Sequence, residues 1–185
     1  ALAGSGHVEV LTYPFVSAAQ NQLFAVDEIQ TVRLANPLQG DANEMRVSLL
    51  PGLIDAAKRN LSRGLTDLAI FEEGSVFLPA KTIVATGKLP VGNQLPSAAE
   101  LATLNATIPA QPNRLAALFT GDRVNQGVGI QSQAISYQDA IQAARVVAHA
   151  DPDLDYAGIR QEVHEGIRHD ALAAVAAVRR SSANR

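Results

Sequence analysis

The feature that most constrains the fold is an amphipathic helix followed closely by a strand that is apolar on both faces. Ser48 is the predicted N-cap, Pro51 falls in the first turn, and Gly64 follows the last turn. Between them apolar residues recur at helical spacing, at Leu49, Leu50, Leu53, Ile54, Ala57 and Leu61. Residues 67–77 then form a β-rich run that is apolar on both faces, with a bulge or bend expected near Gly74. This pattern predicts a buried central strand.

Local signals along the chain indicate the other elements. Further strands are expected at residues 8–13, 31–35 and 115–120. Further helices are expected at residues 17–24, 97–105, 136–150 and 170–180. Two of these helices begin with capping pairs, Ser97 with Glu100 and Ser136 with Asp139. The helix at 170–180 is predicted from its alanine-rich composition and its closing arginines.

Composition narrows the classes of protein to which the chain can belong. A chain of 185 residues fits one domain, and 47% hydrophobic with 18% charged residues is a globular composition. The net charge of −3 provides no electrostatic case for a surface whose main task is binding nucleic acid. The absence of cysteine excludes disulfides, thiolate metal sites and a cysteine nucleophile, and it fits the cytosol.

The chain shows no targeting or membrane signal. No apolar run approaches the roughly 20 residues that a membrane-spanning helix requires. The first residues lack both an initiator Met and the core of a signal peptide. We therefore expect a fragment or a processed product that is not inserted in a membrane.

Four segments carry a family resemblance through their order and spacing. They read NPL at 36–38, MRVSLLPGL at 45–53, NLSRG at 60–64 and LAIFEEGSVF at 68–77. Together they resemble the β chain of bacterial phenylalanine–tRNA ligase, in its synthetase-like, non-catalytic module. Weaker similarity upstream and downstream extends the resemblance over residues 1 to about 150, and beyond that point it fades.

The resemblance implies an α/β fold of the α+β type, with a mainly antiparallel sheet flanked by helices, like the catalytic core of class II aminoacyl-tRNA synthetases. Residues 1–150 would form this core module, and residues 151–185 a helical C-terminal part of the same domain. The implied function is that of a structural and interface module in a cytoplasmic heterotetramer. In that enzyme the α chain attaches phenylalanine to its tRNA with ATP and magnesium. No cofactor or metal is expected in this fragment, which should not activate phenylalanine by itself.

The resemblance also implies contact with the α chain of the ligase, through an apolar face that the core of the module does not cover. The residues expected at this interface are Leu38, Met45, Arg46, Val47 and Leu50, joined by the apolar side of residues 13–24. A fragment with such a face is expected to self-associate weakly. The tRNA should be reached through the whole enzyme rather than through this module.

The residues themselves argue against an ATP site on the strand at 67–77. A triphosphate needs cations on the strand that holds it, and this run contains no Lys, Arg or His. It contains three acids that should repel a nucleotide, Asp67, Glu72 and Glu73. The strand is therefore predicted not to bind ATP.

Cations near the helix have a structural and a functional interpretation. Arg46, just before the helix, could meet a phosphate, but pairing with Asp41, Glu44 or a carbonyl group is favoured. Three cations follow late in the helix, Lys58, Arg59 and Arg63. They fit a solvated helix end that complements the helix dipole, and contact with tRNA stays an alternative.

Two metal-like patterns are weak. His164 and His169 lie five residues apart, whereas a zinc-binding HExxH helix needs four. Four acids match positions 1, 3, 5 and 12 of a calcium loop between two predicted helices, at Asp151, Asp153, Asp155 and Glu162. Tyr156 stands where that loop needs glycine, so an acidic turn is the favoured interpretation.

One alternative function comes from a different class. The same fold could serve as a stand-alone small-molecule-binding or catalytic domain. Such a domain requires a pocket with convergent polar groups and at least one cation near the strand at 67–77.

Overall fold

The structure is a computed structural model that describes most of the chain. It describes residues 1–24, 31–38, 40–78, 92–93, 95–123, 128–129 and 131–150, and the backbone of 154–161 and 174–180. The helices are α1 Ala18–Phe24, α2 Leu50–Leu61, α3 Ala98–Asn105 and α4 Tyr137–Ala150. The strands are β1 Val8–Glu9, β2 Phe15–Val16, β3 Glu44–Met45, β4 Leu68–Ser75, β5 Asn113–Thr120, β6 Leu154–Gln161 and β7 Ala174–Arg180. Within the described residues, no helix is long and apolar enough to cross a membrane.

The main sheet has five strands in the order β1-β4-β5-β7-β6. Only β1 and β4 pair in parallel, and the other neighbours in this sheet are antiparallel. A second, small sheet is formed by β2 and β3. The predicted fold class is confirmed, since the sheet is mainly antiparallel and helices flank it.

Strand β4 separates two apolar cores because its side chains alternate between the two faces of the sheet. Leu68 and Ile70 pack with α2, whose Leu53 is fully buried. Phe71 points to the other face and joins a cluster with Phe119 of β5 and the inner side of α4. The predicted buried central strand is confirmed, because both of its faces are covered and it lies between β1 and β5.

Helix α2 begins at Leu50, one residue later than a cap at Ser48 predicts. Leu49, whose backbone is helical, takes the N-cap position, and Ser48 Oγ accepts a hydrogen bond from the Leu50 N–H at 3.2 Å. Pro51 lies in the first turn, as predicted. Gly64 has φ +85°, the left-handed conformation expected after a helix end.

Gly74 is not the site of a bulge. The β4–β5 ladder continues without interruption through Gly74, which pairs with Arg114, to Ser75. A Cβ atom on Gly74 would lie 2.5 Å from Nη2 of Arg46. The glycine is therefore explained by the close approach of this arginine rather than by a bend.

The prediction for the C-terminal part was wrong. The expected helix at 170–180 is strand β7 over Ala174–Arg180, inserted between β5 and β6. Strand β6, over Leu154–Gln161, also lies in the C-terminal part that was expected to be helical, and it begins inside the predicted acidic turn. Alanine is a strong helix former, but the preference is worth little free energy per residue, and antiparallel pairing with β5 outweighs it.

Both capping pairs are confirmed. Ser97 and Glu100 form a reciprocal capping box at the start of α3. The Asp139 carboxylate accepts hydrogen bonds from the Ser136 N–H at 2.7 Å and the Ser136 hydroxyl at 3.0 Å. Each helix therefore begins where its capping serine predicts.

Candidate protein-contact surface

A stripe of large apolar side chains on the N-terminal segment lies open to solvent. Leu11 is 91% exposed, Tyr13 is 83% exposed and Phe15 is 37% exposed. The intervening Thr12 and Pro14 are half-buried and the following Val16 is buried, so exposure alternates with a period of two. We call Leu11, Tyr13 and Phe15 the N-terminal stripe. Large apolar side chains grouped in this way are typical of a protein-contact surface.

The small sheet extends this surface to a second segment. Phe15 of β2 is paired with Met45 of β3, so the two side chains lie on the same face. Met45 is half-buried there, whereas its neighbour Glu44 is 2% exposed on the opposite face. Of the predicted strand at 31–35, Arg33 forms an isolated bridge to Glu44.

Behind the stripe lies a buried polar cluster of three residues, Thr12, Arg46 and Glu72, which we call the clasp. Glu72 is 0% exposed, because it occupies the same face of β4 as Ile70. Its carboxylate accepts hydrogen bonds from the Thr12 hydroxyl at 2.7 Å and from Nη1 of Arg46 at 2.7 Å. Nη1 of Arg46 also donates to the Thr12 oxygen at 3.1 Å, and its Nε donates to the Ser75 carbonyl at 3.0 Å. A buried charge is tolerated when it is paired in this way.

Two glycines make room for the clasp. A Cβ atom on Gly52 of α2 would lie 2.2 Å from the Thr12 hydroxyl oxygen. On the other side, the space beside the Arg46 guanidinium is open because Gly74 has no side chain. The N-terminal segment, the segment before α2, helix α2 and strand β4 thus meet at one point.

A second buried polar cluster holds the small sheet in place. Nδ2 of Asn21, a residue 1% exposed, donates to Glu44 at 3.0 Å and to the Met45 carbonyl at 3.1 Å. Oδ1 of Asn21 accepts from the Val47 N–H at 3.2 Å, and Nε of Arg33 donates to Glu44 at 3.1 Å. Burial acts to raise the pKa of Glu44, but hydrogen bonds, from Asn21 first, outweigh burial and lower the pKa.

The predicted interface residues fall into two groups. Leu38 is 95% exposed, and Met45 and Val47 are half-buried. Arg46 and Leu50 are only 6% and 4% exposed, since Arg46 belongs to the clasp and Leu50 to the core under α2. Of the stripe, Tyr13 and Phe15 fall in the predicted region of residues 13–24, whereas Leu11 lies just outside it.

The structural interpretation of Arg46 is confirmed, but its carboxylate partner is Glu72 rather than Asp41 or Glu44. The charge of Glu72 is thereby compensated by Arg46. The predicted repulsion of a nucleotide therefore does not apply to this residue. A signal for this pair existed in the sequence, because an acid at an inward-facing position of an apolar strand requires a partner. The partner itself lies 26 residues away and carries no such signal.

The basic residues at the end of α2, Lys58, Arg59 and Arg63, are exposed, which fits a solvated helix end.

Asp155 of the acidic turn lies in β6, and Asp151, Asp153 and Glu162 lie outside the described residues, as do His164 and His169. In the described part of the chain, no group of three or more His, Asp or Glu residues is placed to hold a metal ion.

A cavity of about 500 Å³ lies where the N-terminal turn, β4, β5 and α4 meet, lined partly by His7, Ala69 and Phe119. Arg123, which also lines the cavity, forms a salt bridge with Asp139, with Nε 2.6 Å from Oδ1. Its Nη1 also donates a hydrogen bond to Oε1 of Gln133 at 2.8 Å. Burial acts to raise the pKa of Asp139, but hydrogen bonds from the Ser136 backbone and from Arg123 lower it below its ordinary value. A pocket with a cation in its lining therefore lies beside β4, but that cation, Arg123, is already paired with Asp139.

The fold and surface define a mixed α/β domain with an exposed apolar stripe. The family described as phenylalanyl-tRNA synthetase beta chain CLM domain matches residues 1–166, and the chain belongs to this family. The domain is a non-catalytic module of the β chain, and the alternative of a stand-alone binding or catalytic domain is not favoured.

Phenylalanine–tRNA ligase β subunits are the relatives that the chain resembles in sequence. The β subunit of Leifsonia xyli is 47% identical over 156 residues, and that of Thermobifida fusca is 39% identical over 151 residues. Each match covers 80% of this chain and 18% of the relative, so the chain spans less than a fifth of the length of these β subunits. A comparison of folds pairs the chain with PylSc of Desulfitobacterium hafniense, a pyrrolysyl tRNA synthetase, at a TM-score of 0.46 and 18% identity over 94% of this chain and 50% of that chain.

Proposed function

We propose that the chain is an interface module that packs against the α chain of phenylalanine–tRNA ligase through the N-terminal stripe and the adjacent Met45, with the exposed Leu38 as a further contact. In this proposal the α chain attaches phenylalanine to its tRNA with ATP and magnesium, and the complex is a cytoplasmic heterotetramer. The module supports that reaction by contact and contributes no catalytic residue. Residues 151–185 belong to the same domain as residues 1–150, as the pairing of β7 with β5 suggests.

The observation that carries this proposal is the exposure of Leu11 and Tyr13, at 91% and 83%, on a segment whose intervening residue is held inside. Exposing two large apolar side chains costs hydrophobic free energy, at about 25 cal/mol for each Å² of apolar surface left in water. A tyrosine flanked by apolar neighbours is also the kind of residue that dominates binding at protein interfaces. Membership in a β-subunit family supports the α chain as the partner.

Sedimentation velocity of the chain mixed with the α chain tests the proposal. We expect a complex, and we expect the double variant Leu11→Ser/Tyr13→Ser to weaken it by about tenfold or more, as the loss of interface anchors does. Circular dichroism verifies that the variant is folded.

The matched control is Leu101→Ser/Tyr137→Ser, which removes a leucine and a tyrosine that are 45% and 49% exposed on α3 and α4. This control should leave the affinity within about twofold. Equal losses in both double variants, or no complex with the unaltered chain, would contradict the proposed contact.

A further inference from the structure

Thr12 occupies a singular position, because it joins the exposed stripe to the buried clasp. Its two neighbours in sequence are the most exposed members of the stripe, Leu11 and Tyr13. Its own hydroxyl lies between the two charged groups of the clasp, donating to Glu72 at 2.7 Å and accepting from Arg46 at 3.1 Å. The Thr12 N–H also points to the Glu72 carboxylate, at 3.3 Å.

The stripe has few other attachments to the main sheet. Strand β1 ends at Glu9, and the last backbone hydrogen bond to β4 runs from the Val10 N–H to the Phe71 carbonyl at 2.8 Å. The next backbone bond along the segment is accepted by the Pro14 carbonyl from the Arg46 N–H, also at 2.8 Å. Between these two points, Thr12 supplies the hydrogen bonds that are described for residues 11–13.

We propose that Thr12 is a positioning residue, whose hydroxyl holds the N-terminal segment on the clasp and so presents Leu11 and Tyr13 outward for the partner. Apolar side chains on a loose segment would instead collapse onto the protein surface, and binding would then require the segment to be ordered first. A binding surface that is ordered in only a fraction of the molecules loses affinity by that fraction. This inference rests on the proposed function for its consequence in binding, but the positioning itself is a property of the chain alone.

The surroundings of Thr12 support this role. Glu72 and Arg46 are already paired to each other at 2.7 Å, so the ion pair itself does not require Thr12. Gly52 of α2 leaves space for the hydroxyl at this place, because a Cβ atom there would collide with it. The threonine hydroxyl is held between Glu72 and Arg46, and in this proposal that anchor fixes the direction of the two neighbouring side chains.

Amide hydrogen exchange, measured by mass spectrometry, and affinity for the α chain together test the proposal. Thr12→Val keeps the shape of the side chain and removes its hydroxyl. Exchange of residues 10–14 should accelerate by about tenfold or more, while strand β5 stays as protected as in the unaltered chain. Affinity for the α chain should fall by a similar factor, and Thr12→Ser, which restores the hydroxyl, should keep both quantities within about threefold.

A second variant keeps the test decisive if Thr12→Val unfolds. Gly52→Ala retains the Thr12 hydroxyl but places a Cβ atom against it, and alanine is otherwise the better helix residue. Exchange at residues 10–14 should again increase, with α2 still protected.

The outcomes separate the two proposals. Unchanged exchange at residues 10–14 in Thr12→Val, or an equal increase over the whole chain, overturns the positioning role. Lost affinity with unchanged exchange overturns it as well, because Thr12 would then act by direct contact. If the unaltered chain does not bind the α chain, the proposed function fails, while the exchange of residues 10–14 still decides whether Thr12 positions the stripe.

Discussion

Replacing Arg46 by methionine should be among the most damaging single changes in this chain. Methionine fills a similar length but removes the charge and the hydrogen bonds to Glu72, Thr12 and the Ser75 carbonyl. Glu72, at 0% exposure, then keeps a buried carboxylate whose described donors are the Thr12 hydroxyl and N–H. Breaking one side of a buried ion pair costs about 3–5 kcal/mol, a large share of the roughly 5–15 kcal/mol that stabilises a typical domain.

The double variant Arg46→Met/Glu72→Gln tests the cause of that loss. Glutamine keeps the shape of the glutamate and can still bond to Thr12, but it carries no charge to be left unpaired. We expect the double variant to be more stable than Arg46→Met alone, with a coupling of roughly 1–3 kcal/mol in the double-mutant cycle.

Urea unfolding followed by circular dichroism, with linear extrapolation to water, provides these free energies of unfolding. A loss under about 1 kcal/mol for Arg46→Met would refute the reasoning, since a fully buried carboxylate cannot lose its cation at so small a cost. Independent, additive effects of the two substitutions would also refute it, because the two charges would then not be coupled.

Three further changes test the core and the cap of α4. Leu53→Ala should lower the free energy of unfolding by about 2–5 kcal/mol in urea melts because Leu53 is fully buried, whereas Leu65→Ala, at a 55% exposed position, should cost about 0.5 kcal/mol or less. Thr120→Val should leave stability unchanged or raise it by up to about 1 kcal/mol in the same assay, since the buried Thr120 hydroxyl has no hydrogen-bond partner among the described residues. Folding lowers the pKa of Asp139, so its ionised carboxylate stabilises the folded chain. This contribution to the free energy of unfolding is present above the ordinary pKa of about 3.9 and is lost as the pH falls through the lowered value. Asp139→Asn should therefore have a lower melting temperature than the unaltered chain near pH 6, and this difference should shrink below pH 4; a constant difference would contradict the assignment.

Helix α2 and strand β4 could be predicted because their signals are local. The apolar spacing around Leu53, the early Pro51 and the following Gly64 are sufficient to place a helix, and the double-sided apolar run of 67–77 is sufficient to place a central strand. The strand β7 could not be predicted from such signals. Its alanines suit a helix, and they lie in a strand because β5 pairs with them from more than 50 residues away.

The candidate contact surface was only partly predictable for a related reason. Met45 and Val47 were identified from their place in the family resemblance, but Arg46 and Leu50 between and beyond them are buried. Burial here depends on Glu72 and on the fold of the N-terminal segment, which lie far away in sequence. Nothing in the sequence around Thr12 indicated the positioning role proposed for it. That proposal depends on the positions of Glu72, Arg46 and Gly52, which lie on three other segments.

Photo-crosslinking from two tyrosine positions tests the contact surface most directly. A benzophenone side chain replaces Tyr13 in one variant and Tyr137 in another, two exposed tyrosines on different parts of the chain, at 83% and 49% exposure. Each variant is irradiated in the presence of the α chain. We predict a crosslink to the α chain from position 13 and none from position 137. A crosslink from position 137 with none from position 13 would place the partner on α4 and contradict the role assigned to the N-terminal stripe.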